Sequence, residues 1–170
     1  MRRQCAWCKK EMEPIHSQSI NASQEISHGI CSICDFHMRA SSSTMELNEY
    51  IEDFPQPIVI TGNDRIIINA NKLARATLNK DFSPVDKLPA GKVFECKNAH
   101  LSGGCGKTVH CGTCNLRKLI MDTFNSEKQF CDKLIIINQT PTSNDSSRAL
   151  RMSISSFKID GVVYLKILYL

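Results

Sequence analysis

The segment Pro57-Ile-Val-Ile-Thr-Gly-Asn-Asp-Arg-Ile-Ile-Ile-Asn69 gives the strongest indication of how most of this chain folds. Two short runs of β-branched residues flank Gly62-Asn63-Asp64, a sequence that is typical of a tight turn. This pattern predicts a β-hairpin with strands at Pro57–Thr61 and Arg65–Asn69. Directly before it, Phe54-Pro55-Gln56-Pro57 ends the preceding helical pattern and marks a domain boundary.

The segments that follow the hairpin complete a predicted sheet. Ala70–Leu78 and Leu116–Phe124 have helical patterns, and the chain closes with three strand candidates. These strands are Gln129–Asn138, Ala149–Ile159 and Val162–Leu170, the last two joined by a turn at Asp160-Gly161. The order predicts an α+β domain over residues 55–170, with a five-stranded antiparallel sheet and short helices on one face.

Ahead of the hairpin, a connecting helix is predicted over residues 38–54. Met38–Asp53 contains no Pro or Gly, and its apolar residues approximate a helical stripe. The chain is therefore divided into an N-terminal module at 1–37, this connecting helix, and the α+β domain at 55–170.

Four of the nine cysteines lie in the N-terminal module. They form two Cys-x2-Cys pairs separated by 22 residues, and they are Cys5, Cys8, Cys31 and Cys34. A two-residue spacing lets a tight turn direct both sulfurs at one ion, and a second pair completes a tetrahedron. We expect a Zn²⁺ site, with the metal stabilising a module too small to bury a sufficient core. His28 and His37 are expected to lie outside the coordination sphere.

A second set of cysteines lies in the glycine-rich loop 96–114. Its members are Cys96, Cys105, Cys111 and Cys114, of which only the last pair has the tight chelating spacing. Four thiolates suit Zn²⁺ and an iron–sulfur cluster equally, and a thiol–disulfide switch is a third outcome. His100 and His110 flank the loop and are expected to be hydrogen-bonded or exposed, whereas Cys131 is expected to be a small buried apolar residue.

This order of elements resembles a PAS domain over roughly residues 55–170. The segments Gly91–His100 and Gly103–Cys114 look like a cysteine-rich variant found in bacterial signalling proteins. The resemblance implies a sheet and helices that enclose a cofactor or a small ligand. Around the first cysteines, Cys5-Ala-Trp-Cys8 and Ser27–Cys34 resemble zinc modules of treble-clef or ribbon type that are attached to such proteins.

The resemblance implies a signal-sensing or adaptor protein that is not an enzyme. Its PAS domain would sense redox state, a metal or a small ligand through the second cysteine set. Its partner would be a histidine kinase or another regulator, or a second copy of the chain in a homodimer. Enzyme motifs give no competing prediction, because the sequence has no Gly-x-Ser-x-Gly elbow, no His-Glu-x-x-His and no kinase catalytic loop. Gly103–Thr108 ends like a phosphate-binding loop but has Leu101 where that motif requires its first glycine.

The charge distribution bears on the alternative functions. The chain carries a net charge of +4, divided as −3 over residues 1–54 and +7 over residues 55–170. Two zinc-bound sets of four thiolates would bring the total to about zero, so the positive net charge gives little support for nucleic acid as a partner. The alternative function is still a zinc-dependent nucleic-acid-binding or transcription-associated regulator, using a basic patch at Arg2, Arg3, Lys9 and Lys10. A thiol oxidoreductase is the third hypothesis. Cys111-Gly-Thr-Cys114 precedes a predicted helix, as such enzymes require, but no βαβ unit surrounds it.

Cellular location follows from apolar segments and cysteine usage. The longest apolar runs are too short to cross a bilayer, and Arg2 and Arg3 are not followed by the apolar core of a signal peptide. In a reducing compartment, so many cysteines are typical of metal binding or redox chemistry and not of structural disulfides. We therefore expect a cytoplasmic protein with no membrane partner.

Overall fold

The structure is a computed structural model, and it describes most of the chain. The described residues are 2–7, 9–12, 26–31, 34–35, 38, 51–52, 54–80, 87–126, 128–140 and 148–169. The chain divides into two compact units, Met1–Thr44 and Met45–Leu170, which are treated separately below. Of the predicted connecting helix at 38–54, Met38, Ile51 and Glu52 are helical, Phe54 is not, and the remainder lies outside the described residues.

The described strands of the N-terminal unit form a small sheet in the order β2-β1-β3. They are β1 at Arg2–Cys5, β2 at Glu11–Met12 and β3 at Ile26–Gly29. β1 is antiparallel to β2 and parallel to β3, and the parallel register places Cys5 opposite Gly29. Because Gly29 is only two residues before Cys31, this register brings two distant cysteines to the same end of the sheet.

The predicted hairpin opens the C-terminal unit. Its strands are β4 at Ile58–Thr61 and β5 at Ile67–Ala70. The Asp64 carboxylate closes the turn, since its Oδ1 accepts a hydrogen bond of 3.0 Å from the Ile66 N–H. Ile66 forms an isolated bridge with Pro89. The second strand therefore begins two residues later than its β-branched pattern indicates.

The closing strands match their predictions closely. They are β6 at Phe130–Asn138, β7 at Ala149–Ile159 and β8 at Val162–Tyr169. The five strands are antiparallel in the order β5-β4-β8-β7-β6, which places the hairpin beside the last strand. Asp160 and Gly161 both have left-handed φ angles, as a two-residue hairpin turn requires. The predicted α+β fold class, a five-stranded antiparallel sheet with short helices, is confirmed.

Short helices fill the connection between the hairpin and the last three strands. They are α1 at Lys72–Leu78, α2 at Ala90–Val93, the 3₁₀ helices η1 at Lys97–His100 and η2 at Val109–Thr113, and α3 at Asn115–Ser126. α3 buries Leu116, Leu119 and Ile120 in the core against one face of the sheet. The buried Thr123 and Ser156 hydroxyls are 2.7 Å apart, which fixes α3 to β7. The loop 96–114 therefore ends at a helix that is firmly held on the sheet.

The carboxylate of Glu52 caps the first turn of α1. Its Oε2 accepts a hydrogen bond of 2.8 Å from the Lys72 N–H, and its Oε1 accepts one of 2.8 Å from the Arg75 guanidinium. Burial acts to raise the pKa of this carboxyl, but the two hydrogen bonds and the charges of Arg75 and Lys72 lower it below its ordinary value. The ionised form therefore stabilises the folded unit.

Glu52→Gln is expected to reduce the pH dependence of folding stability. Since the folded-state pKa lies below the unfolded value of about 4.3, the stabilisation is present above that pH and is lost as the pH falls through the folded-state pKa. We expect the variant to be about 1 kcal/mol less stable at neutral pH and to converge with the wild type in acid. Urea unfolding, followed by circular dichroism across this range, measures both. A difference that does not change with pH would contradict the prediction.

Candidate metal centres

Three of the four predicted N-terminal ligands meet in the structure. The sulfurs of Cys5, Cys31 and Cys34 all lie within 4.8 Å of one another, and all three residues are buried. The Cys31 N–H also donates a hydrogen bond of 3.4 Å to the Cys5 sulfur. Cys8, the fourth predicted ligand, lies outside the described residues. A compact buried group of thiols fits the tetrahedral, sulfur-rich coordination of structural Zn²⁺.

Local backbone structure explains why these sulfurs converge. After Cys5 the chain turns tightly, with Lys9 at a left-handed φ of 62° and its N–H donating to the Cys5 carbonyl at 3.0 Å. On the other side, the Asp35 N–H donates to the Cys31 carbonyl at 2.9 Å, which starts a helical turn at the second pair. A tight turn after Cys5 and a helical turn at Cys31 thus bring the three described sulfurs together.

The surface of this unit carries the basic patch noted in the sequence. Arg2, Arg3 and Lys9 line a shallow pocket of about 230 Å³ with two further residues, Gln4 and Glu11. Trp7 is 64% exposed. His28 is exposed, and His37 lies outside the described residues. Binding of nucleic acid at this patch stays a prediction.

All four cysteines of the second set line one pocket of about 430 Å³. Cys96 follows α2, Cys105 lies in the following loop, Cys111 lies in η2 and Cys114 directly precedes α3. The walls between them include Ala99, Leu116 and the end of β6 from Ile136 to Asn138. Residues spread over 19 positions of sequence are therefore gathered around a shared space.

Cys111 is the most strongly hydrogen-bonded sulfur of this set. It accepts a hydrogen bond of 3.1 Å from the Gly106 N–H, and the Thr108 hydroxyl oxygen lies 3.2 Å away. Burial acts to raise the pKa of this thiol, but the hydrogen bonds from Thr108 and Gly106 and the charge of Arg117 lower it below its ordinary value. The surroundings of Cys111 therefore favour the thiolate, which is the form that binds metals.

Cys105 has the opposite surroundings. Its side chain lies against the backbone of Gly91, where a β-carbon would come 2.6 Å from the Cys105 sulfur. Burial raises the pKa of this thiol, and the neighbouring Cys111, Cys114 and Cys96 raise it further, although a hydrogen bond from Gly91 acts against them. Four thiolates around one pocket repel one another, so a bound cation would stabilise the set.

Cys96 and Cys114 connect the pocket to the rest of the domain. Cys96 forms an isolated β-bridge with Gln139, one residue beyond β6. The Cys114 sulfur accepts a hydrogen bond of 3.5 Å from the Arg117 N–H in the first turn of α3. The site is thus attached to a helix and to an edge strand of the sheet.

Several contributors to this site were missed by the sequence analysis. Gly91 makes room for Cys105, Thr108 supports Cys111, and the end of β6 forms a wall. The helix that contains Gly91 was not predicted, so no sequence signal pointed to this glycine. Of the flanking histidines, His110 lines the pocket, and both His100 and His110 are exposed. Cys131 was expected to be buried, but it is half-buried in β6.

Several solved PAS domains are similar to this chain. The PAS domain of a Desulfitobacterium hafniense protein aligns with a TM-score of 0.43 and 13% identity over 72% of this chain and 99% of that one. The PAS domain of nitrogen regulation protein NR(II) from Vibrio parahaemolyticus aligns with a TM-score of 0.45 and 9% identity, over 75% of this chain and 100% of that one. A domain of a sensory box sensor histidine kinase/response regulator from Geobacter sulfurreducens aligns with a TM-score of 0.41 and 9% identity, over 78% of this chain and 94% of that one. No protein-family model and no curated protein sequence matches the chain.

One further finding concerns membranes. Among the described residues, no helix is both long enough and apolar enough to span a bilayer.

Proposed function

We propose that this chain is a signal-sensing protein whose C-terminal unit holds an inorganic centre on Cys96, Cys105, Cys111 and Cys114. The observation that carries the proposal is the single pocket that all four cysteines line. With four thiolates as ligands, neither a tetrahedral ion nor a four-iron cluster keeps an open position for a substrate. The site therefore favours sensing over catalysis, and we propose that the protein is not an enzyme.

The contacts of the loop provide a route from the centre to the fold. The Arg117 guanidinium donates a hydrogen bond of 3.1 Å to the Cys111 carbonyl, and the Lys118 N–H donates one of 3.0 Å to the Cys114 carbonyl. At the other end, the Thr140 N–H donates to the Glu95 carbonyl at 3.1 Å, beside the bridge from Cys96. Loss of the centre would release loop 96–114 and change the positions of α3 and β6.

The response is proposed to reach a protein partner. A histidine kinase, another regulator or a second copy of this chain would sense the altered α3 and β6 through a changed contact. We place the protein in the cytoplasm, where reducing conditions keep the thiolates available for metal.

The N-terminal unit is proposed to hold one structural Zn²⁺. Cys5, Cys31 and Cys34 supply three thiolates, and Cys8 is the proposed fourth. A unit of this size buries little apolar surface, so the metal would contribute directly to its folding.

Cys111→Ser is expected to remove the second centre and loosen its surroundings. Serine lacks the thiolate, so the set would retain three strong ligands and lose most of its bound metal. The full chain, purified without oxygen, would be analysed for metals and by hydrogen–deuterium exchange. We expect exchange in residues 96–126 and 130–140 to rise by roughly tenfold as local openings become more frequent.

Cys131→Ser is the matched control, because Cys131 lies in β6 and does not line the pocket. It should retain both centres and the wild-type exchange pattern. The proposed function would be wrong if the wild-type protein held no inorganic centre on the second set. It would also be wrong if removing that centre left exchange in α3 and β6 unchanged.

A further inference from the structure

The two cysteine sets differ in the spacing of their sulfurs. In the N-terminal unit, the sulfurs of Cys5, Cys31 and Cys34 lie within 4.8 Å of one another. A single Zn²⁺ bound at about 2.3 Å from each sulfur requires sulfur–sulfur separations of about 3.8 Å in a tetrahedron. Small side-chain adjustments satisfy that requirement at the first set.

The second set is more open. All four of its cysteines are described, yet no three of their sulfurs lie within 4.8 Å of one another. All four nevertheless line the same pocket of about 430 Å³. A single tetrahedral ion would need these sulfurs closer together than they are. The backbone beside two of them is held by hydrogen bonds, at Cys114 to α3 and at Cys96 by its bridge to Gln139.

A polynuclear centre fits such an open set. In a [4Fe–4S] cluster each thiolate binds its own iron, so the four sulfurs stand apart by the width of the cluster and enclose its volume. The walls suit this occupant as well, because Ala99, Leu116 and Ile137 supply apolar surface. The N–H donors of Gly106 and Arg117 point at two of the sulfurs, and such hydrogen bonds adjust the reduction potential of a cluster.

We propose that the second set binds a [4Fe–4S] cluster, while the first set binds a single Zn²⁺. This inference rests on the proposed function in one respect, namely that the four thiolates of the second set hold an inorganic centre. It goes further by assigning the chemical class of that centre, which the ligand types alone leave open because four thiolates suit both metals.

The test is metal and acid-labile sulfide analysis of the full chain, purified anaerobically, with Mössbauer spectroscopy of iron-57-labelled protein. We expect about four irons and about four sulfides per chain together with about one zinc. Cys111→Ser should lose the iron, the sulfide and the broad visible absorption while it retains the zinc. Cys131→Ser should retain all of them.

The other outcomes separate this inference from the proposed function. About two zinc ions and no iron would overturn the cluster and leave the proposed sensing centre in place. About two irons with two sulfides would overturn the four-iron assignment in the same way. Absence of any inorganic centre from the second set, even after anaerobic incubation with ferrous iron and sulfide, would overturn both proposals.

Discussion

Replacing Gly91 with alanine is expected to deplete the second centre while the fold is retained. A β-carbon at this position would lie 2.6 Å from the Cys105 sulfur, 3.1 Å from the Cys105 β-carbon and 3.2 Å from the Ala99 β-carbon. The first distance is far below van der Waals contact, so the Cys105 side chain must move away from its present position. Displacement of one ligand or its support typically lowers metal affinity by about 10–100-fold. Iron, sulfide and zinc contents of the anaerobically purified full chain measure the effect.

Gly112→Ala is the matched control for this substitution. Gly112 lies between Cys111 and Cys114, yet nothing lies within 4 Å of the β-carbon that alanine would add. It should therefore retain the metal content of the wild type, and both variants should show its far-ultraviolet circular dichroism. A Gly91→Ala protein that holds a full second centre would contradict the assigned position of Cys105. Equal losses in both variants would point to general disruption of the loop.

Local signals explain why so much of the fold is predictable. The β-branched runs around Gly62-Asn63-Asp64 and the turn at Asp160-Gly161 each encode a hairpin within a few residues, and both hairpins are present. Helix and strand ends were displaced by one or two residues, as at β5, where the bridge from Ile66 to Pro89 replaces the first pair. That bridge joins segments 23 residues apart, so no local pattern could have indicated it.

In the candidate sites too, some features are encoded by local sequence and others depend on tertiary contacts. Cysteine spacing predicts two sets of four, because chelation requires nearby thiolates, and the seven members that are described lie near others of their own set. The distance between sulfurs depends on how loop 96–114 packs on α3 and β6, which is a property of tertiary structure. The supporting roles of Gly91 and Thr108 likewise arise only when the loop is folded. For this reason the sequence predicts which cysteines would hold a centre but leaves one ion and a cluster as alternatives.

Asn71→Ala is expected to cause a large loss of folding stability in the C-terminal unit. Asn71 is fully buried, and its side chain joins the segment 51–58 to the first turn of α1. Its Oδ1 accepts hydrogen bonds from the Ile58 N–H at 3.0 Å and the Ala74 N–H at 2.9 Å. Its Nδ2 donates to three backbone carbonyls, those of Ile51 at 3.1 Å, Phe54 at 3.4 Å and Gln56 at 2.8 Å. Alanine would leave several buried groups without their partner, at a cost of about 1–3 kcal/mol for each one that water cannot reach. We expect a total loss of about 4 kcal/mol, measured by urea unfolding with circular dichroism detection.

Two further variants separate the network from a simple helix cap. Asn71→Ser retains an oxygen that can accept from the Ala74 N–H but is too short to reach the other partners, so it should recover only about 1 kcal/mol. Asn69→Ala removes a neighbouring asparagine whose Oδ1 accepts a local hydrogen bond from the Ala70 N–H at 2.7 Å, and it should cost about 1 kcal/mol or less. If Asn71→Ala cost no more than Asn69→Ala, the side chain would not be joining the segment before β4 to α1. Full recovery in Asn71→Ser would mean that capping of α1 accounts for the whole effect, because serine restores that contact alone.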